Sequence, residues 1–331
     1  MNVKFKNFIV LFLISVFITL IPSILISYGV IDEYIAQIFT LAGVNAIIAI
    51  SLNLISGITG QLALGHAGFM AIGAYTAAFF TMKAGMPLPI GIILGGCMAA
   101  FFGFIIGFPT LKLSGDYLAI VTLGFGEIIR VILINMKGLT GGAAGLKGVP
   151  GFTKDILSQP AISFGVVTGT LILILALLTN FIVSSYGRAI ISIREDEIAA
   201  ASNGIPVFKY KMLAFTISAF IAGIGGGLYA PFFGYLNPTM FTFLKSVDFL
   251  IIVVLGGMGS ITGTIISSYI LTYLQEFLRF LKDYRLVIYP LILILIMLFR
   301  PKGLLGRSEL SIIHTIEKFK VFYRSRRKLH G

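Results

Sequence analysis

The stretch Tyr34–Met82, YIAQIFTLAGVNAIIAISLNLISGITGQLALGHAGFMAIGAYTAAFFTM, runs its whole length without an Asp, Glu, Lys or Arg. A bilayer-crossing helix needs about 20 mainly apolar residues, so this run has room for two crossings. Charge-free windows recur at Phe8–Tyr28, Ala84–Leu111, Ile156–Gly187, Met212–Leu244 and Phe249–Gln275. Hydrophobic residues make up 57% of the chain and charged ones 11%, and the mean hydropathy is +1.01. A soluble domain carries about a quarter charged residues. The fold class expected is therefore all-α, a polytopic transmembrane helix bundle.

Spans are expected near 8–28, 35–56, 66–82, 89–108, 117–136, 161–183, 212–233 and 284–299. The first follows Lys4 and Lys6, but its apolar run exceeds a signal-peptide core and no A-x-A-like site follows, so it reads as a retained span. The net charge of +12 is concentrated late, with nine basic and two acidic residues from Arg300 to Gly331. The positive-inside rule places such a tail in the cytoplasm, where anionic headgroups attract it. Both termini are expected there, with Arg188–Lys211 inside and Lys137–Lys154 and Phe233–Lys245 outside. The organisation expected is residues 1–34 as N-terminal end and first span, 35–307 as the main membrane domain, and 308–331 as a basic tail.

Residues 247–280 are too few for two full crossings and are centred on LGGMGSITG, Leu255–Gly263. Glycine there points to two short helices meeting at a break within the membrane, tolerated only against protein or a cavity. A second interruption lies at GITGQLALGHAGF, Gly57–Phe69. Paired broken segments point to a transport path, which makes Gly65, His66, Gly68, Gly256, Gly257, Gly259 and Ser260 candidate path residues. Close helix packing explains the same glycines, and both readings stay open.

One polar loop stands apart from this apolar background. REDEIAAASNGIPVFKYK, Arg194–Lys211, gathers charge between two spans. Ser192 and Glu195 have the S-x-x-E spacing of a capping box, and Glu195, Asp196 and Glu197 would occupy a first turn favoured for acids. Gly204 closes such a helix and Pro206 stops it. A helix of about eleven residues follows, roughly 16 Å long, too short to cross a bilayer. Ala199, Ala200 and Ala201 give it a smooth face, and Arg194 with the acids supplies polar contacts at the rim. Spans hold it at both ends, so it can pass a push or pull to them.

Within the membrane, Glu127 and Arg130 share a helix face at i,i+3 spacing. Each costs about 2.5–3.5 kcal/mol at a helix centre, so they face the bundle interior or a wet cavity. Lining or gating a path and fixing helix orientation are both open to them. His66 has no nearby carboxylate in sequence and reads first as a structural hydrogen-bonding residue. Asp116 reads as a helix cap. The single cysteine, Cys97, excludes an intramolecular disulfide and reads as a small core residue. No metal-ligand spacing links His66, His314 and His330, and no Ser/His/Asp or paired-carboxylate arrangement suggests an enzyme. The chain has no G-x-x-x-x-G-K-[ST] phosphate loop.

The order Glu197-Ile-Ala-Ala-Ala-Ser-Asn-Gly204 resembles the EAA…G motif of permease subunits in bacterial ATP-binding-cassette (ABC) importers. With it stand GQLALGHAGFMAIGAYTAA (60–78), LSGDYLAIVTLGFGEIIRVIL (113–133), LTGGAAGL (139–146), VVLGGMGSITG (253–263) and RPKGLLGR (300–307). Together, over about residues 35–307, they resemble the branched-chain amino acid permeases of LivM type. Ala143 and Ala144 depart from the family pattern, which usually has a proline-asparagine pair there.

The resemblance implies a coupling loop over 187–211, with Arg194, Glu195, Asp196, Glu197, Ala199, Ala200, Ala201 and Gly204 meeting the ATPase. It implies a bacterial inner-membrane importer of leucine, isoleucine or valine with no cofactor on this chain and Mg-ATP on its partners. Those partners would be a LivH-type permease, two cytoplasmic ATPases and an extracytoplasmic binding protein. Related permeases handle urea, short amides or aromatic acids, which are the alternative substrates. An ion-coupled transporter or channel is the alternative mechanism.

Overall fold

The structure is a computed structural model that describes residues 19–113, 115–153, 159–300 and 303–306. It is an all-α bundle of apolar helices. Among the described residues, five helices are long and apolar enough to cross a membrane, over Glu33–Ile58, Leu88–Thr110, Asp116–Asn135, Gln159–Val183 and Val207–Phe233. The expected first span is described only from residue 19, with a helix α1 over 19–27. The basic tail 308–331, Arg307, His314 and His330 lie outside the described residues.

Helix α2 (Glu33–Asn53) is capped by Asp32, whose side chain accepts from the Tyr34 N–H at 3.1 Å. It continues into a π-helical turn, Leu54–Ile58. Residues 59–65 are not helical, and α3 (His66–Met82) then begins. α4 (Leu88–Thr110), α5 (Asp116–Asn135), the short α6 (Lys137–Thr140) and α7 (Gln159–Val183) follow. α8 (Ser185–Glu195) and α9 (Glu197–Ser202) lead into α10 (Val207–Phe233). A two-residue antiparallel pair, β1 (Leu146–Lys147) with β2 (Tyr235–Leu236), marks the opposite end of the bundle from α9, with Leu146 opposite Leu236.

Burial separates centre from periphery. In α2 with its π-turn, 83% of the most apolar stretch is buried, and in α10 72%, against 33% to 39% for α4, α5 and α7. The α3–α4–α10 seam is closed by glycines at backbone contact. A Cβ on Gly226 of α10 would lie 2.0 Å from the Met70 carbonyl oxygen, and one on Gly73 of α3 2.0 Å from that of Gly223. Close approach through small residues is how helices associate where burial alone gives no drive.

Cys97, expected in the core, is exposed on α4. α4 packs through Gly91, Gly95, Ala99, Gly103 and Gly107, so its other face turns outward although it is equally apolar. Asp116 is the first residue of α5 rather than its cap; Gly115, at φ +60°, holds the cap position.

The segment 247–280 contains two helices, α11 (Phe243–Gly256) and α12 (Ile261–Phe277). At 14 and 17 residues they are about 21 and 25 Å long, both short of a hydrocarbon core of about 30 Å. The elbow between them turns at Gly257, whose φ of +108° excludes ordinary side chains. Ser260 caps α12 through the Gly263 N–H. α12 runs antiparallel along α2: Ser268 donates to the Ala42 carbonyl at 2.8 Å and the Asn45 amide to Thr272 at 3.2 Å. Tyr34 bonds Glu276 at the far end. The elbow therefore lies beside the end of α2, because α12 follows α2 for nearly its whole length. α13 (Arg285–Phe299) follows, and the chain then returns to the elbow, where the Leu304 N–H donates to the Leu255 carbonyl at 2.7 Å.

Candidate functional site: a capped loop helix, a polar layer and a glycine elbow

Three groups of candidate residues occupy distinct places. The first is α9. The capping box expected at Ser192 does not form, because Ser192 lies inside α8 and donates to the Ala189 carbonyl at 2.8 Å. The chain breaks instead at Asp196, extended at φ −156° and ψ 110°, whose carboxylate accepts from the N–H groups of Ile198 and Ala199, both at 2.9 Å. One expected helix is thus two, and α9 has six residues. Its end is as expected: Gly204, at φ +79°, carries the Ile205→Ala200 and Gly204→Ala201 bonds of a Schellman motif.

The three alanines do not share a face. Ala200 is buried, while Ala199 and Ala201 are exposed. Ile198, passed over in the sequence, is 80% exposed beside them. Glu197 joins α9 to the next span through an ion pair with Lys211 at 2.6 Å. Arg194 and Glu195 pair at 2.6 Å, and Arg194 turns inward, only 20% exposed, rather than standing at a solvent rim.

The second group is a polar layer part-way along the bundle, where α3 and α11 both start. Arg130 Nε donates to Glu127 Oε2 at 2.7 Å, and Glu127 Oε1 accepts the Phe243 N–H at 3.0 Å. Glu127 thus satisfies the first free N–H of α11 from a neighbouring helix, at the end where a helix dipole favours an anion. Ser246 of α11 accepts the Ala67 N–H at 3.0 Å, and Thr122 of α5 accepts that of Leu64 at 3.0 Å. Gly65 and Gly68 allow α3 to start against α5, since a Cβ on Gly65 would lie 2.4 Å from the Thr122 carbonyl oxygen.

His66 is fully buried, with Nε2 3.0 Å from Ser218 Oγ. The Ser218 hydroxyl has one proton and gives it to the Ser51 carbonyl at 2.6 Å, so His66 Nε2 is the donor to Ser218. His66 thus makes the kind of hydrogen bond expected of it. Lys245 and Asp248 of α11 also join the layer, half-buried, with the Lys245 ammonium 5.1 Å from the Phe249 ring centroid. The charge pattern places Lys245 at the end of an outer segment, 233–245, whereas it lies in the first turn of α11. The signal available was the i,i+3 pair Lys-Ser-Val-Asp inside an otherwise apolar run.

Replacing Glu127 with Gln keeps an acceptor for Phe243 but leaves Arg130 without its counter-charge. A loss of about 1–3 kcal/mol is expected, read as a lower melting midpoint. Normal uptake by an assembled Glu127→Gln protein would remove any path role for the pair.

The third group is the elbow. Gly256 packs on Gly263, Gly257 and Gly259 turn the chain at positive φ, and Ser260 caps α12. The two glycine interruptions noted in sequence meet here: a Cβ on Gly57 would lie 2.2 Å from the Gly259 nitrogen. Asn53, not noticed in sequence, joins them. Its Oδ1 accepts the Gly259 N–H at 2.8 Å, and its Nδ2 donates to the Ser260 carbonyl and Thr264 Oγ1, both at 2.9 Å.

The family model described as branched-chain amino acid transport system / permease component matches residues 34–298. The LivM permease of the high-affinity branched-chain amino acid transport system of Escherichia coli K12 is 36% identical over 90% of this chain and 75% of its own length. Its Salmonella typhimurium counterpart is 36% identical over 93% and 76%. The LivH permease of Escherichia coli K12 is 27% identical over 84% of this chain and 97% of its own length. No solved structure matches the chain significantly.

Proposed function

Because this chain belongs to the family of branched-chain amino acid transport permeases, a transport subunit and not an enzyme, we propose that it carries leucine, isoleucine and valine inward across a bacterial inner membrane. The observation that carries the reading is the 36% identity to LivM over 90% of the chain. ATP, with magnesium, is bound and hydrolysed on two separate cytoplasmic ATPases. A LivH-type permease completes the membrane unit, and an extracytoplasmic binding protein delivers solute.

On this reading α9 faces the cytoplasm together with both chain termini, and it is the ATPase contact. A six-residue helix would not persist alone in water, where isolated helices shorter than about 12–15 residues are marginal. Here Asp196 and Gly204 terminate it, and the Glu197–Lys211 pair ties it to α10. The exposed Ile198, Ala199 and Ala201 offer an apolar knob flanked by small residues, a shape that suits a cleft on a partner. Closure of the ATPases displaces this helix, and α8 and α10 carry the movement into the bundle. The polar layer around Glu127 and Arg130, whose side chains are 33% and 26% exposed, supports placing the solute path beside α5. The glycine-broken starts at Gly65, His66 and Gly68 lie along it, and Gly256, Gly257, Gly259 and Ser260 form its inner end.

Purification of the chain from its native membrane under mild conditions tests the class. A second permease and two nucleotide-binding proteins are expected to accompany it; isolation of the chain alone would contradict the proposal. Uptake assays with the intact assembly test the substrate. Leucine is expected to saturate uptake, whereas preference for urea, a short amide or an aromatic acid would move the substrate elsewhere in the family.

A further inference from the structure

Arg194 lies where three segments distant in sequence converge. It occupies the last turn of α8, two residues before the break at Asp196 that starts α9. Its Nη1 donates to the Gly57 carbonyl at 3.1 Å, in the π-turn that ends α2. Carbonyls at a helix end lack partners within their own helix, and the dipole there favours a cation. The other side of the fork, Nε at 3.0 Å and Nη2 at 2.6 Å, is held by Glu195 Oε1. The guanidinium is therefore fixed in orientation by its own neighbour while it grips α2.

The surroundings are shaped to this side chain. Gly60, at φ +76°, leaves room for its stem: a Cβ there would lie 2.8 Å from Arg194 Cγ. A Cβ on Gly259 would lie 3.4 Å from Nη1, so the guanidinium also abuts the α11–α12 elbow. Behind Gly57, Asn53 holds that elbow through Gly259, Ser260 and Thr264. Arg194, Gly57, Asn53 and Gly259 thus form a continuous chain of three contacts from the edge of α9 to the elbow, in which Gly57 and Gly259 take part through backbone.

We infer that Arg194 is a positioning residue which locks the α8–α9 segment to the α11–α12 elbow, so that displacement of α9 reaches α11 directly and not only through α10. This rests on the reading of α9 as the ATPase contact. The Glu197–Lys211 pair supplies the route into α10, and Arg194 a second route into the helix that begins at the Glu127 layer. α11 spans the distance between that layer and the elbow, so a shift at Arg194 bears on Glu127 and Arg130 at its other end.

The test uses the complete assembly in proteoliposomes, with wild type, Arg194→Gln and Arg194→Lys compared for bound ATPase, ATP turnover and leucine moved per ATP. In Arg194→Gln assemblies, leucine moved per ATP turned over is expected to fall about tenfold, within the usual range of inter-site coupling. Lysine cannot grip Gly57 and Glu195 in two directions at once and is expected to restore only part of the ratio. A wild-type ratio in Arg194→Gln overturns the inference. Absence of ATPases from the wild-type assembly would instead overturn the proposed function. Should Arg194→Gln fail to assemble, spin labels at Tyr186→Cys and Met258→Cys in a Cys97→Ser background decide the matter. Their separation is expected to hold on ATP binding, and a change above about 3 Å, larger than ordinary helix shifts of 1–2 Å, overturns the lock.

Discussion

Gly226→Val is expected to prevent the bundle from assembling. The Cβ of any side chain there would lie 2.0 Å from the Met70 carbonyl oxygen, 2.8 Å from its carbonyl carbon and 3.0 Å from the Ala74 nitrogen. These obstacles are backbone, so no rotamer change relieves them and α10 must move off α3. That movement also opens the neighbouring contacts of α10, where a Cβ on Gly73 would lie 2.0 Å from Gly223 O and one on Gly223 2.8 Å from Gly95 O. Overpacking a tight site costs about 1–3 kcal/mol, and here the loss of a whole seam adds to it. Gly169→Ala on α7 is the control, because nothing lies within 4 Å of a Cβ there and alanine is the better helix former by about 0.5–1 kcal/mol. Thermal midpoints in detergent are expected to fall by many degrees, or to vanish, for Gly226→Val and to hold for Gly169→Ala. Equal midpoints for the two would contradict the glycine seam.

The second large effect is expected from Ala201→Trp. Ala201 is exposed on α9 and takes part in its C-terminal cap only through the backbone carbonyl, so the bundle is expected to form and to keep its melting midpoint. The indole would occupy the space through which a partner's cleft approaches Ile198 and Ala199. Disruption of a central interface contact costs about 2 kcal/mol or more, so ATPase affinity is expected to fall at least about thirtyfold. Ala200→Trp separates surface from core. Ala200 is 4% exposed, and a bulky side chain there is expected to unseat α9 and lower the midpoint as well. If Ala201→Trp leaves ATPase affinity unchanged, α9 is not the contact.

The long helices were legible because an apolar helix of membrane length is announced by the absence of charge over some twenty residues, and the run Tyr34–Met82 gave the limits of α2 and of the shorter α3 nearly correctly. The end of α9 was legible because Gly204 and Pro206 act locally on backbone geometry. Its start was misplaced because Ser192-x-x-Glu195 and Asp196 both offer capping chemistry. The apolar spacing of Ile190 and Ile193, buried on one face of α8, is the sign that a helix was already running through Ser192.

Cys97 shows a different limit. In a chain with apolar residues on every side, the face toward lipid and the face toward the core have the same composition, so periodicity cannot tell them apart. Lys245 was assigned to a loop because α11 begins part-way along the bundle, where the Glu127 carboxylate on another helix meets its first N–H. Nothing near Phe243 in sequence signals that contact. The bonds from Arg194 to Gly57 and from Asn53 to Gly259 join residues more than a hundred positions apart, and only the packed fold brings them together. Each half of the elbow was visible as a glycine interruption, whereas their meeting was not.

In the proposed mechanism this bundle moves solute only when separate ATPases act at α9. Leucine accumulation in proteoliposomes, followed with and without ATP in the ATPase-side compartment, tests it most directly. Accumulation against a gradient is expected from the full assembly with hydrolysable ATP, and none is expected when the ATPases are omitted or a non-hydrolysable analogue is supplied. Equal accumulation by the permeases alone, sustained by an ion gradient, would contradict the account.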